Sequence, residues 1–219
     1  MSVYASRRRN MVESQLRVNK VTDDRVIMAF EKMPREEFVS PELKGLAYID
    51  EDLVLGSGRF MLEPMVLARL MQALAIKADD TILDIAAGCG YSTAVLSSLG
   101  QSVVGIEVDE SLAHVAQQNL IKLSVDNSVI LHSDHNLGFA SEAPYDAIMI
   151  EGAVAEVPEV ILEQLSDKGR LATVIREHHS APGKAVLFQR GKSGFSKQYL
   201  FDAQTPILDE FSKKAEFQF

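Results

Sequence analysis

The stretch Thr81 to Val108, TILDIAAGCGYSTAVLSSLGQSVVGIEV, decides the fold. It opens with an apolar run of strand length, Ile82-Leu83-Asp84-Ile85, and passes into two glycines spaced G-x-G, Gly88 and Gly90. Ala94, Val95 and Leu99 then mark a helix, and a second β-branched run, Val103-Val104-Gly105-Ile106, closes on Glu107. A strand, a glycine turn, a helix and a strand ending in an acid form a unit that holds a nucleotide-like ligand. Glycines let the main chain approach the ligand, and a carboxylate at the next strand's end can accept hydrogen bonds from both ribose hydroxyls.

Outward from this unit the alternation continues. Downstream, Asp109 is a helix cap, and Leu112, Val115, Ala116 and Leu120 form one helix face. Val129-Ile130-Leu131 is a third strand, and Tyr145 to Ile150 is a fourth, apolar enough to be buried on both faces. Val157 to Leu165 reads as a helix with Pro158 in its first turn, followed by a turn at Lys168-Gly169. Leu171 to Ile175, Ala185 to Arg190 and a last strand near Phe195 to Phe201 predict an antiparallel edge. Upstream, Pro64 opens a helix whose buried stripe is Val66, Leu67, Leu70, Met71 and Leu74.

Residues 1–60 read as an N-terminal helical region packed on a core spanning 61–219, the two forming one compact domain. Val12 and Leu16 mark a first helix. Thr22 or Asp23 caps a second, with Val26, Ile27 and Phe30 on one face, and it should stop before Pro34. Phe38, Val39 and Pro41 suggest a packed, extended segment, and Pro41 to Tyr48 a helical turn. Leu53-Val54-Leu55 is strand-like before a turn at Gly56-Ser57-Gly58. The class is therefore α/β, with a doubly wound, mainly parallel sheet. A ligand is expected beyond the strand ends, near Asp84 to Gly90, Glu107 and Asp134.

Bulk properties exclude several functions. The chain has 219 residues and a net charge of −9, which argues against a nucleic-acid partner. Arg7-Arg8-Arg9, the single basic run, reads as a solvated helix face. One cysteine rules out an intramolecular disulfide and a Cys-rich zinc site. No apolar segment is long enough to span a bilayer, and the N-terminus is too polar for a signal peptide, so the cytoplasm is the default compartment and no membrane partner is expected.

Two cofactors compete for the turn. A dinucleotide pyrophosphate wants backbone N–H groups and a helix N-terminus. Asp84, just before the turn, is awkward beside a pyrophosphate and suits a ligand carrying an ammonium and a sulfonium. The third glycine of the dinucleotide fingerprint is replaced by Thr93. Both points favour S-adenosylmethionine. Cys89 reads as a small filler in the turn. His132 and His135, with Asp134 between them, lack the further ligands of a metal site, so none is expected. His178-His179 reads as a solvated loop. Phe211, Phe217 and Phe219 could pack on the core or on a partner.

Several segments outside the core also carry a resemblance. Met11-Val12-Glu13-Ser14-Gln15-Leu16, Met33-Pro34-Arg35-Glu36-Glu37-Phe38-Val39, Ala47-Tyr48-Ile49-Asp50 with Leu53 and Gly56-Ser57-Gly58, and Pro144-Tyr145-Asp146-Ala147-Ile148 with Val157-Pro158 and Leu162-Glu163-Gln164-Leu165 all resemble the protein-L-isoaspartate O-methyltransferase family. That resemblance implies a Rossmann-like, seven-stranded class I methyltransferase that moves a methyl group from S-adenosylmethionine to a carboxylate of isoaspartate in a damaged protein or peptide. Carried over by position, Asp84, Ala86, Gly88 and Gly90 line the methionine end, Glu107 holds the ribose, and Asp134 with His135 lies by the adenine. Ala87, Val108 and Glu151 belong to the same candidate set.

The departures concern the turn and the acceptor. Ala86 stands where the family has a further glycine, and suits that place if no positive φ is needed. Where the family carries Gln-Thr-Ile-Ser-x-Pro, with a catalytic serine, this chain has Arg59-Phe60-Met61-Leu62-Glu63-Pro64. Leu62 stands at the serine position. Arg59, Leu62 and Glu63 are the acceptor-side candidates, with Arg59 either holding an anion or solvated. Three readings stay open: carboxyl methylation, methylation of a more apolar acceptor, or a non-catalytic assembly or regulatory protein that binds the cofactor.

Overall fold

The structure, a computed structural model, describes residues 3–212. Helix α1 (Val3–Met11) runs on through a π turn at Val12–Leu16 and a 3-10 turn at Arg17–Asn19. Helix α2 (Asp24–Lys32) is capped by Asp23, whose carboxylate accepts from the N–H groups of Arg25 and Val26. It stops at Met33, which is extended because Pro34 follows. Short 3-10 turns at Arg35–Glu37 and Lys44–Leu46 occupy the segment expected to be extended and then helical. The arginine run is not simply a solvated face. Arg7 donates to the Gly45 carbonyl and Arg8 to the Lys32 carbonyl, each at 2.9 Å, which ties α1 to the segments that follow it.

Strands β1 (Leu53–Gly56) and β2 (Arg59–Met61) form an antiparallel hairpin separate from the main sheet. Helix α3 (Pro64–Leu74) follows, with proline at its start, where a missing N–H costs nothing. The core unit is β3 (Thr81–Ile85), α4 (Tyr91–Ser97) and β4 (Ser102–Glu107). After it come α5 (Glu110–Lys122, capped by Asp109), β5 (Ser128–His132), β6 (Tyr145–Val154), α6 (Glu159–Leu162), β7 (Leu165–Ile175), β8 (Lys184–Gly191) and β9 (Gly194–Asp202). The seven-stranded sheet has the order β5-β4-β3-β6-β7-β8-β9, parallel from β5 to β7 and antiparallel across β7-β8-β9.

Alternate residues of β3 serve opposite faces. Ile82 packs with the N-terminal helices, α3 and α4, while Leu83 and Ile85 pack with α6 and the segment after β9. Strand β6 is longer than its apolar run suggested, and α6 is shorter than Val157 to Leu165. The Gln164 amide donates to the carbonyls of Leu137 and Val160, and the Gln164 carbonyl accepts from Tyr145 N–H, so the chain turns into β7 at Leu165. The segment after β9 crosses back over the sheet. Ile207 bridges to Ala153, Leu208 lies against Gly152, and a 3-10 turn at Asp209–Phe211 buries Phe211. Phe217 and Phe219 lie outside the described residues. Among the described residues no helix is long and apolar enough to cross a membrane.

Candidate functional site

The strand–turn–helix unit places a dense polar cluster at the carboxyl edge of the sheet. Its turn has Ala86, Gly88 and Gly90 at φ of 64°, 54° and 86°. The condition on which alanine suits the glycine's place, that no positive φ is needed, is therefore not met. Ala86 adopts the left-handed region, at a cost of about 1 kcal/mol or more for a residue with a Cβ. The neighbouring Ala87 N–H donates to the Ile106 carbonyl at 3.1 Å and fixes the turn against β4.

Asp84 is fully buried at the end of β3. Its Oδ2 accepts from the hydroxyls of Ser92 and Thr93, both at 2.6 Å, while Oδ1 has no hydrogen-bond partner among the described residues. Ser92 Oγ also lies 2.5 Å from Glu151 Oε2, from β6. Burial pushes Asp84 up to about 6 against the pull of the two hydroxyls, with the charge of Glu107 adding to the rise. Glu151 is raised well above the carboxylate range, first by burial and then by Asp84. Sequence reading placed Asp84 and Glu151 here but missed Ser92 and Thr93. Hydroxyls in the first turn of the helix after a glycine turn were the available signal.

Glu107 ends β4 with 0% exposure and four donors. Its Oε1 accepts from Arg59 Nε at 3.0 Å, Val108 N–H at 2.9 Å and Asp109 N–H at 3.1 Å, and Oε2 accepts from Gly88 N–H at 3.0 Å. Arg59, on β2, is 2% exposed and also pairs through Nη2 with Glu210. It is not solvated, in contrast to one expectation for it, and the anions it holds here are two carboxylates of the chain itself, which offset the cost of burying its charge. Burial raises Glu210, but His135 and Arg59 beside it outweigh that and hold it down to about 2. His135 is fully buried, its Nε2 accepting from Val108 N–H at 3.0 Å, while Asp134 is exposed. His132 turns its Nε2 to the Val108 carbonyl, and His178 and His179 are exposed.

On the acceptor side Leu62 is fully buried, and its carbonyl accepts from Arg35 Nη2 at 2.7 Å. Arg35 is itself fully buried, with Nε on the Ala47 carbonyl and its guanidinium 4.9 Å from the Tyr91 ring centre. The sequence did not single it out as functional. Glu63 caps α3 by position, its N–H donating to Asp52 Oδ1 at 2.7 Å. Burial, then the charges of Asp52, Asp50 and Glu51, push the Glu63 carboxyl up to about 7. Cys89 is buried in the turn, and its thiol is pushed up to about 12 by burial, so it holds no reactive thiolate at neutral pH.

A family model described as protein-L-isoaspartate(D-aspartate) O-methyltransferase (PCMT) matches residues 6–199. Protein-L-isoaspartate O-methyltransferase 2 of Anaeromyxobacter sp. (strain Fw109-5) is 36% identical, over 87% of this chain and 86% of its own length. Protein-L-isoaspartate O-methyltransferase 1 of Syntrophobacter fumaroxidans (strain DSM 10017 / MPOB) is 35% identical, over 87% and 88%. A solved protein-L-isoaspartate O-methyltransferase superposes with a TM-score of 0.81 at 25% identity, covering 94% of this chain and 67% of that one. A Plasmodium falciparum protein described as a protein-L-isoaspartate O-methyltransferase beta-aspartate methyltransferase (PCMT), solved with S-adenosyl-L-homocysteine, has the same fold, with a TM-score of 0.76 at 21% identity, over 96% of this chain and all of that one. With both the match across residues 6–199 and the relatives at more than a third identity, the chain belongs to the protein-L-isoaspartate(D-aspartate) O-methyltransferase family.

Proposed function

We propose that the chain is an S-adenosylmethionine-dependent O-methyltransferase that acts on a carboxylate of a protein or peptide, in the manner of isoaspartate repair. One observation carries this reading: Asp84 and Glu107 end adjacent parallel strands on either side of a left-handed turn that presents main-chain N–H groups at the sheet edge. The donor site is formed by Asp84, Ala86, Ala87, Gly88, Gly90, Glu107, Val108, His135 and Glu151, with exposed Asp134 at its rim. Residues 1–60 act as a cover on the 61–219 core.

The residues fit the donor at its methionine end. Asp84 Oδ1 is a buried acceptor without a hydrogen-bond partner among the described residues, which suits an ammonium group. At the ribose end Glu107 is the right group in the right place, although Arg59 holds it here. The donor, when bound, supplies a methyl group on a sulfonium, a carbon already activated for in-line displacement. A carboxylate acceptor is ionised at neutral pH and needs no general base. The task left to the protein is to align the acceptor and to exclude water.

The acceptor side favours a second reading as well. Leu62 is buried and Phe60 is half-buried, so this segment presents no side-chain hydrogen-bond donor, and Glu63 and Asp52 add acidity. A lost donor in a dry site costs about 1–3 kcal/mol, which favours a less polar acceptor over isoaspartate. Purified protein with an isoaspartyl peptide and methyl-labelled S-adenosylmethionine tests the first reading. Labelled methyl ester supports it. Tight donor binding with no isoaspartyl ester, together with a labelled methyl ester on a more apolar acceptor, supports the second.

A further inference from the structure

We propose that the β1–β2 hairpin is a lid over the donor site, and that Arg59, on the lid, sets donor affinity by competing with the ribose for Glu107. This rests on the S-adenosylmethionine reading above. Four contacts seat the hairpin on the sheet edge. A Cβ at Gly88 would lie 3.1 Å from the Leu55 side chain, so Leu55 lies over the glycine turn. The Ser57 hydroxyl sits beside the carboxylate of Asp109, just past β4, and helps hold it below its ordinary value. A Cβ at Gly58 would lie 3.3 Å from Asp209 Oδ2, which places the hairpin tip against the last 3-10 turn. Arg59 then reaches Glu107 beneath and Glu210 beside it.

Hydrogen-bond capacity makes this a competition. A carboxylate oxygen has two lone pairs. Glu107 Oε1 already takes three N–H groups, two of them from the main chain and fixed, and the third from Arg59. The two donors of a ribose diol need room on this carboxylate, and the side chain of Arg59 is the one of these three donors that can leave. The cluster also has slack for such a change. Glu210 Oε2 and His135 Nδ1 face each other at 3.7 Å, and neither has a hydrogen-bond partner among the described residues. When Arg59 leaves Glu107 it keeps its second carboxylate, Glu210, so the hairpin and the Asp209–Phe211 turn move together.

The test is equilibrium binding of S-adenosylmethionine and S-adenosylhomocysteine to the full chain, to Arg59→Met and to Arg59→Gln. Glu107 keeps its three main-chain donors in both variants, and thermal melts of each confirm the folded state before binding is read. Losing a charge-assisted competitor should tighten binding of both ligands to Arg59→Met by roughly tenfold to a hundredfold, with Arg59→Gln in between. Hydrogen exchange of wild type should quicken at residues 53–61 and 207–211 when the donor binds. Weaker or unchanged binding to Arg59→Met, or slower exchange at those segments, overturns this inference alone. No donor binding by wild type or either variant overturns it together with the S-adenosylmethionine reading.

Discussion

Asp84 and Glu151 converge on a single hydroxyl, with Ser92 Oγ 2.6 Å from one carboxylate and 2.5 Å from the other. A serine has one proton to donate. It satisfies one acid, and the second contact holds only if a carboxyl is itself protonated. The pair therefore keeps a shared proton inside the site, in line with the upward shifts of both acids.

A cationic donor should expel that proton. Calorimetric binding of S-adenosylhomocysteine, whose ammonium group is charged at pH 7, should release about one proton. The signature is a binding heat that depends on the ionisation enthalpy of the buffer. Glu151→Gln should remove most of this dependence. Equal heats for wild type in phosphate and Tris would show that no shared proton is displaced.

Glu63 gives the protein a pH dependence of definite sign. Its carboxyl titrates near 7 in the folded chain against an ordinary 4.5, so the folded state binds more protons between those values. Stability from this group is fully present below about 4.5 and is lost as pH rises through 7. Glu210 acts oppositely: its value of about 2 makes its contribution present above 4.5 and lost as pH falls toward 2. Thermal midpoints from pH 4.5 to 7 should decline less steeply in Glu63→Gln than in wild type; parallel curves would contradict the assignment.

Ala86 should tolerate a smaller residue and reject a branched one. Glycine relieves about 1 kcal/mol of left-handed strain but gives up a buried methyl worth about 0.8 kcal/mol. Ala86→Gly should therefore be near neutral. Ala86→Val adds a β-branch at positive φ in a packed site and should destabilise by about 3 kcal/mol. Denaturant midpoints distinguish the two, and a neutral valine variant would mean that the turn relaxes.

Gly105 protects the Asp84 cluster from behind. A Cβ there would lie 2.4 Å from the Ile130 side chain and 2.9 Å from Thr93 Oγ1, the hydroxyl that holds Asp84. Gly105→Ala should cost about 1–3 kcal/mol in stability and weaken donor binding as well. A stable variant with unchanged donor affinity would show that Thr93 is not needed to position Asp84.

The local parts of this architecture were legible in the sequence. Each β-branched run, helix face and capping acid around Thr81 to Val108 is a near-neighbour pattern, and Asp84 and Glu107 stand out because they end apolar strands. The site's remaining groups depend on tertiary contacts. Ser92 looks like an ordinary helix residue until β6 brings Glu151 beside it. Arg35 reads as part of a motif, but its burial follows from carbonyls at Ala47 and Leu62. Arg59 meets Glu107 across 48 positions and Glu210 across 151, separations over which no periodicity carries information. The length of α6 was misjudged for a similar reason, since the Gln164 contacts that end it come partly from residues 137–139.

The span between Arg59 and Glu210 also bears on biosynthesis. A nascent chain can pair β3 with β4 and build the glycine turn well before Leu208 and Glu210 emerge from the ribosome. Until then Arg59 has Glu107 as its sole carboxylate partner, and Gly152 lacks the Leu208 that covers it. The nearly complete sheet thus passes through a stage in which its ligand-binding edge is formed but unsealed. A ligand captured at that stage could act as a folding template, ahead of the closing segment.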